Sequence, residues 1–181
     1  MSKRLIPFTH RVLEEIVTKD DLVVDATAGN GHDTAFLAKH AAHVFAFDVQ
    51  DEALKSTRTR LEKENLANVT LIRDSHENIP LHIYKDIKAA VFNLGYLPGG
   101  DKTLTTKALT SVQAVSNMLE LLVKGGVVAV TVYLGHSEGK NEADALMRFA
   151  DTLSEETYRV SVYKILNRNE APFTMFIEKL K

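Results

Sequence analysis

Seven short runs of β-branched and aromatic residues recur along this chain, and each of the first five is followed by a segment whose apolar residues repeat at helical spacing. No other feature constrains the fold as strongly, because such alternation builds a parallel sheet covered by helices on both faces. The spacing predicts strands over 22–27, 43–49, 69–74, 88–94, 127–134, 159–166 and 173–179. Helices are expected over 10–18, 33–39, 51–65, a weak piece at 77–84, then 103–123 and 141–153. The last two strands are joined only by residues 167–172, too few for a crossover helix, so they should pair antiparallel.

Five strand–helix steps closed by such a hairpin are the order of elements in class I methyltransferases, a Rossmann-like α/β fold with a seven-stranded, mostly parallel sheet. With no repeat, low-complexity tract or flexible linker, residues 1–181 are expected to form one domain, on which the helical segment 1–20 packs. At 45% apolar and 25% charged, the composition is that of a soluble globular chain. Zero cysteines exclude disulfides, thiol catalysis and Cys-ligated metal, and fit a cytoplasmic setting. No export signal is expected, since Arg11, Glu14 and Glu15 interrupt the start, and the longest apolar run is far short of the roughly 20 residues of a membrane helix. A formal charge of −2 means that any nucleic-acid contact must come from a local basic patch.

In an open α/β sheet, ligands bind beyond the carboxyl ends of the strands, so the chemistry is sought there. After the first strand, Gly29 and Gly31 allow a sharp turn and close approach to a ligand, ahead of a helix with unpaired N–H groups. Asp25 ends that strand, the form of an S-adenosylmethionine (SAM) site in which the acid helps hold the amino-acid end of the cofactor; the alternative is a buried structural acid. Asp48, ending the second strand, is placed to accept both hydroxyls of a ribose, with Asp51 as the nearer helix cap. Ser75 and His76 follow the third strand at the level of an adenine edge, with Ser75 also a natural cap. Nicotinamide dinucleotides fit less well, because their fingerprint wants a small residue where Thr34 stands.

The fourth strand ends in Asn93-Leu94-Gly95-Tyr96, similar to the tetrad with which many SAM enzymes methylate amino groups. The Asn93 side-chain oxygen and the Leu94 carbonyl could accept from a neutral amine, and Tyr96 could stack on a flat substrate. Asp101 suits a helix cap or a proton acceptor, and His136 sits in a loop at a ligand-facing strand end. No histidine pair has metal-ligand spacing, so no metal is expected. The basic run Lys55, Arg58, Arg60 and Lys63 alternates with acids and belongs to a solvated helix face. Lys3, Arg4, Arg11, Lys102, Lys107, Lys164 and Arg168 are the candidates for phosphate contacts.

Residues 25–34 (DATAGNGHDT), 92–102 (FNLGYLPGGDK) and 133–136 (YLGH) together resemble the putative rRNA methylase family, in order and over nearly the whole chain. The resemblance implies methyl transfer from SAM to the exocyclic amine of wobble 5-aminomethyl-2-thiouridine in a tRNA anticodon, with methylation of rRNA or of a small amine as the alternative. It further implies that Asn30, His32, Asp48, Gln50, Ser75 and His76 line the cofactor site and that Asn93 lies beside the methyl. Tyr133, His136, Arg168 and Asn169 would face the RNA, and the chain would act as a homodimer.

Overall fold

The computed structural model describes residues 5–95, 106–135 and 137–181. In chain order the elements are α1 (Leu5–Ile16), β1 (Leu22–Asp25), α2 (His32–His40), β2 (His43–Phe47), α3 (Asp51–Lys63), β3 (Val69–Ile72), a 3-10 helix (His76–Leu81), β4 (Ile87–Leu94), α4 (Ala108–Leu121), β5 (Leu122–Val132), α5 (Ser137–Asp151), β6 (Tyr158–Lys164) and β7 (Phe173–Lys179). The strands form one sheet in the order β3-β2-β1-β4-β5-β7-β6. β1 to β5 are parallel, and β7 returns antiparallel between β5 and the edge strand β6, as the short connection required. The strand order reverses between β1 and β4, which opens a crevice at their carboxyl ends.

Side chains alternate across the sheet, and the two faces bury different helices. Ala90, Phe92 and Leu94 of β4 join Val128, Val130 and Val132 of β5 and Met175 and Ile177 of β7, packed against Met118 of α4 and Leu146 of α5. On the other face Ala89, Val91, Val127, Ala129 and Phe176 meet Leu13 of α1 and Leu37 of α2. Full burial of each Val, Leu, Ile, Met or Phe side chain among these contributes about 1.5–3 kcal/mol, so both layers are strongly held. Toward the carboxyl edge the second face turns polar. Asn93 continues the row of Ala89 and Val91, and Thr131 continues that of Val127 and Ala129. The buried hydroxyl of Thr131 pairs with Thr174 at 2.9 Å, and Thr174 with Thr9 of α1 at 3.3 Å. That chain of hydroxyls pins α1 across β5 and β7.

Several boundaries differ from the sequence expectation, each for a local reason. α1 begins at Leu5, ahead of Pro7, because a proline in the first turn lacks only an N–H that the helix would leave unpaired. It ends at Ile16, and Thr18 instead donates from both N–H and hydroxyl to Asp21 at 2.7 and 2.8 Å, closing a turn. The weak 77–84 piece is the 3-10 helix, with Pro80 inside it. β5 starts at Leu122, five residues earlier than expected, since Gly125-Gly126 act as an irregularity within the strand. There Gly125 has φ +69°, and a Cβ on Gly126 would lie 2.7 Å from the Lys88 carbonyl. α4 begins at Ala108, and α5 begins at Ser137 with Gly139 buried inside its first turns. Among the described residues, no helix is long and apolar enough to cross a membrane.

Candidate active site at the carboxyl edge of the sheet

The glycine turn is built by the strands on either side of it. Ala26 N–H donates to the Val91 carbonyl of β4 at 2.9 Å, and Ala28 N–H to the Phe47 carbonyl of β2 at 2.8 Å, so the chain crosses from one strand end to the other. Gly29 (φ +53°) and Gly31 (φ +75°) then take left-handed backbone that other residues rarely adopt. α3 closes over the outside of this turn. Thr57 donates to the Gly29 carbonyl at 3.1 Å, and Arg60 Nε to the Asn30 carbonyl at 2.8 Å. The Asn30 side chain accepts from Ser56 at 3.2 Å, and exposed His32 meets Arg60 Nη2 at 3.0 Å. Both side chains therefore engage α3.

Two acids brace the turn from within. Asp25 is fully buried and accepts from the Thr27 N–H at 3.1 Å and the Thr34 hydroxyl at 2.6 Å. Burial, and next the charge of Asp33, push its carboxyl up to about 7. Asp48 accepts from the Gly29 N–H and the Gln50 N–H, each at 2.9 Å, and burial raises its carboxyl above the usual range. The expected caps are displaced. Asp51 pairs with Lys55 at 2.6 Å and makes no cap, Gln50 preceding the helix in its place. At the third strand end Ser75 does not cap; Asp74 accepts from the Ser75 N–H, Asn78 Nδ2 and His82 Nε2 at 2.7–2.8 Å, and His82 holds its carboxyl below the ordinary range. Its neighbour His76 is buried under Phe92 and bonded to the Ala26 backbone, and burial lowers its imidazole to about 4, so it is neutral. The Nε2 atom of His76 is buried with no hydrogen-bond partner among the described residues.

Asn93 is the centre of a second cluster. Its N–H donates to the Thr27 hydroxyl at 2.7 Å, and its Nδ2 donates to Asp33 of α2. The other oxygen of Asp33 is 2.5 Å from His10 Nε2, and the His10 ring stacks on Phe36 with centroids 3.8 Å apart. Tyr133, half-buried beyond β5, has its phenol raised by burial and by the Asp33 charge. Asn93 Oδ1 is left buried without a partner among the described residues. Reading the sequence for strand ends finds Asn93 and Tyr133 but misses Asp33 and His10. The usable signal was the row Ala89, Val91, Asn93, which points the amide at the face covered by α1 and α2.

The β6–β7 hairpin shares this edge. Phe173 stands opposite Val132, and Val132 opposite Leu94, so residues 165–172 lie at the level of the β4 end. Arg168 and Asn169 are exposed there, and a 2.7 Å ion pair between Glu170 and Lys140 ties the loop to α5. Exposed Lys107, leading into α4, and exposed Lys164, ending β6, lie on the same rim. Tyr96, Asp101, Lys102 and His136, like Lys3 and Arg4, fall outside the described residues.

The sequence profile of the putative rRNA methylase family matches residues 44–179. A chloroplastic tRNA (mnm5s2U34)-methyltransferase of Arabidopsis thaliana is 31% identical over 98% of this chain and 70% of its own length. The crystal structure of an rRNA methylase, also called putative, from Clostridium thermocellum superposes with a TM-score of 0.94 at 39% identity, covering 97% of each chain. That of SMU.1697c, a methyltransferase so designated from Streptococcus mutans in complex with SAH, gives 0.92 at 42% identity over 99% of this chain and 100% of the other.

Proposed function

The chain belongs to the putative rRNA methylase family, and from that premise we propose that it methylates the aminomethyl nitrogen of wobble 5-aminomethyl-2-thiouridine in tRNA, giving the methylaminomethyl nucleoside. It is a SAM-dependent methyltransferase. The activity of the Arabidopsis relative, a tRNA (mnm5s2U34)-methyltransferase, supports this substrate. The observation that carries it is Asn93 Oδ1, a buried acceptor with no partner among the described residues, at the reversal of strand order. An unfilled buried acceptor costs about 1–3 kcal/mol, and an acceptor substrate bearing an N–H group would satisfy it.

The residues present fit the cofactor. The left-handed turn at Gly29 and Gly31 brings backbone close to the crevice, Asp48 retains free lone pairs for a ribose diol, and His76 presents a neutral ring with an unfilled Nε2. When bound, SAM supplies an electrophilic methyl group that an amine can take up by direct displacement. The chain's own contribution is orientation. Asn93 Oδ1 and the Leu94 carbonyl would accept from the amine nitrogen and aim its lone pair, and Tyr133 would wall the pocket. A wobble base can be unstacked from its loop into such a site, while Lys107, Lys164 and Arg168 on the rim are placed for phosphates.

Mass spectrometry of nucleosides from a deletion strain tests the reading. Loss of the methylaminomethyl nucleoside and accumulation of its aminomethyl precursor are expected, with restoration by purified protein and SAM in vitro. Transfer to rRNA but not to tRNA would replace the substrate assigned here.

A further inference from the structure

We infer that Asp33 and His10 form a positioning pair that fixes which end of the Asn93 amide faces the acceptor nucleophile; the inference deepens the methyl-transfer reading and rests on it. An amide side chain has two ends of similar shape, and only its partners decide which points where. A carboxylate only accepts, so the end of Asn93 turned to Asp33 must be Nδ2, and Oδ1 is thereby turned the other way. Asp33 is itself held. His10 Nε2 must donate to its second oxygen, at 2.5 Å, and the imidazole is fixed by stacking flat on Phe36, with rings 4° from parallel. From the sheet side, Thr27 accepts the Asn93 N–H and anchors the backbone that carries the amide.

α1 thus enters the active site through one residue. Thr9, adjacent to His10, is anchored through Thr174 to Thr131, so the helix that supplies the outer member of the pair is locked to β5 and β7. Among the described residues, the titratable groups facing Asp33 are His10 from α1, Tyr133 just beyond β5 and, through its charge, Asp25 from β1. None of these replaces Asp33 as the acceptor for Nδ2. Without it, the amide could rotate and present two donors to an amine that needs an acceptor, which is the wrong complement for a lone pair aimed elsewhere.

Four variants test the pair: Asp33→Ala, Asp33→Asn, His10→Leu and His10→Gln. Each is followed by SAH affinity, by single-turnover methyl transfer to 5-aminomethyl tRNA, and by the side-chain amide signals of Asn93 in nitrogen-15 spectra. Asp33→Ala is expected to slow transfer by about 30-fold or more with SAH affinity within about threefold, and to move the Asn93 amide signals toward those of a free amide. Asp33→Asn keeps one oxygen for Nδ2 and should recover to within about fivefold of wild type. His10→Gln should likewise outperform His10→Leu. Equal losses in Asp33→Asn and Asp33→Ala would overturn the inference, because charge rather than accepting geometry would then be at work. Unmoved Asn93 amide signals in Asp33→Ala would overturn it too, whatever the turnover. If wild-type protein transfers no methyl to any aminomethyl tRNA, the substrate assignment fails, and the amide signals alone decide the pair.

Discussion

Asp48 Oδ2 accepts the backbone N–H of Gly29 at 2.9 Å, so a side chain at the tip of β2 holds the turn that follows β1. The other oxygen accepts the Gln50 N–H and is fixed at the same distance. Each oxygen keeps a lone pair, and the carboxylate is already oriented before any ribose reaches it. Hydrogen bonds to a charged group contribute about 1.5–3 kcal/mol each, so Asp48→Ala should weaken SAM and SAH by at least about tenfold in calorimetry. An affinity within about twofold of wild type would remove Asp48 from the cofactor site and leave it a brace of the turn.

Gly31 is required by space as well as by conformation. A Cβ there would stand 2.8 Å from the Thr57 Cα of α3, a backbone atom that cannot move aside, and φ is +75°. Gly31→Ala combines left-handed strain with overpacking, and a loss of roughly 2–4 kcal/mol in stability is expected from urea unfolding. Gly135 is the control, with nothing within 4 Å of an added Cβ, and Gly135→Ala should change the urea midpoint little. Equal effects at the two positions would show that the approach of α3 to the turn is not a constraint.

Asn93→Ala removes a buried acceptor that has no partner among the described residues, together with the Nδ2 bond to Asp33, while leaving the backbone bond to Thr27 in place. Alignment of reacting atoms can supply roughly 7–11 kcal/mol of a barrier, so the loss should fall on turnover. A drop of about a hundredfold or more in the single-turnover rate is expected, with SAM affinity within a few-fold. Near-normal chemistry in this variant would make Asn93 a structural residue of the loop.

The residues that could be read from the sequence are those whose placement depends on a strand end. Asp25, Asp48, His76 and Asn93 each follow an apolar run, and the parallel sheet brings all four ends to one edge. Asp33 and His10 are not legible in this way. Their meeting depends on α1 lying across β5 and β7, fixed by the Thr9, Thr174 and Thr131 hydroxyls, which are 165 and 43 residues apart in sequence. Asn30 and His32 sit inside the glycine motif, and their side chains also meet Ser56 and Arg60 of α3, contacts that spacing does not show. Adjacent candidates for one task are also indistinguishable by spacing. Ser75 stands where a cap is expected, yet Asp74 organises the turn, since Asn78 and His82 both fold back onto its carboxylate.

Asp25 and His76 make opposite contributions to the pH dependence of stability. The Asp25 carboxyl keeps its proton up to about 7 in the folded chain, against 3.8 for an ordinary aspartate, so between these values the folded state binds the extra proton and stability falls as pH rises. His76 titrates near 4 when folded against 6.5 ordinarily, so over that range the unfolded state binds the extra proton and stability rises with pH. Each slope approaches about 1.4 kcal/mol per pH unit, and between about pH 4 and 6.5 the two largely cancel. Asp25→Asn, which can still accept from the Thr27 N–H and meet the Thr34 hydroxyl, should unmask a stability that climbs with pH across this window. His76→Gln should unmask the reverse, a stability that declines toward pH 7. Urea midpoints at about pH 4.5, 5.5 and 6.5 read both slopes relative to wild type, and profiles parallel to wild type in either variant would show that its group does not titrate as its burial requires.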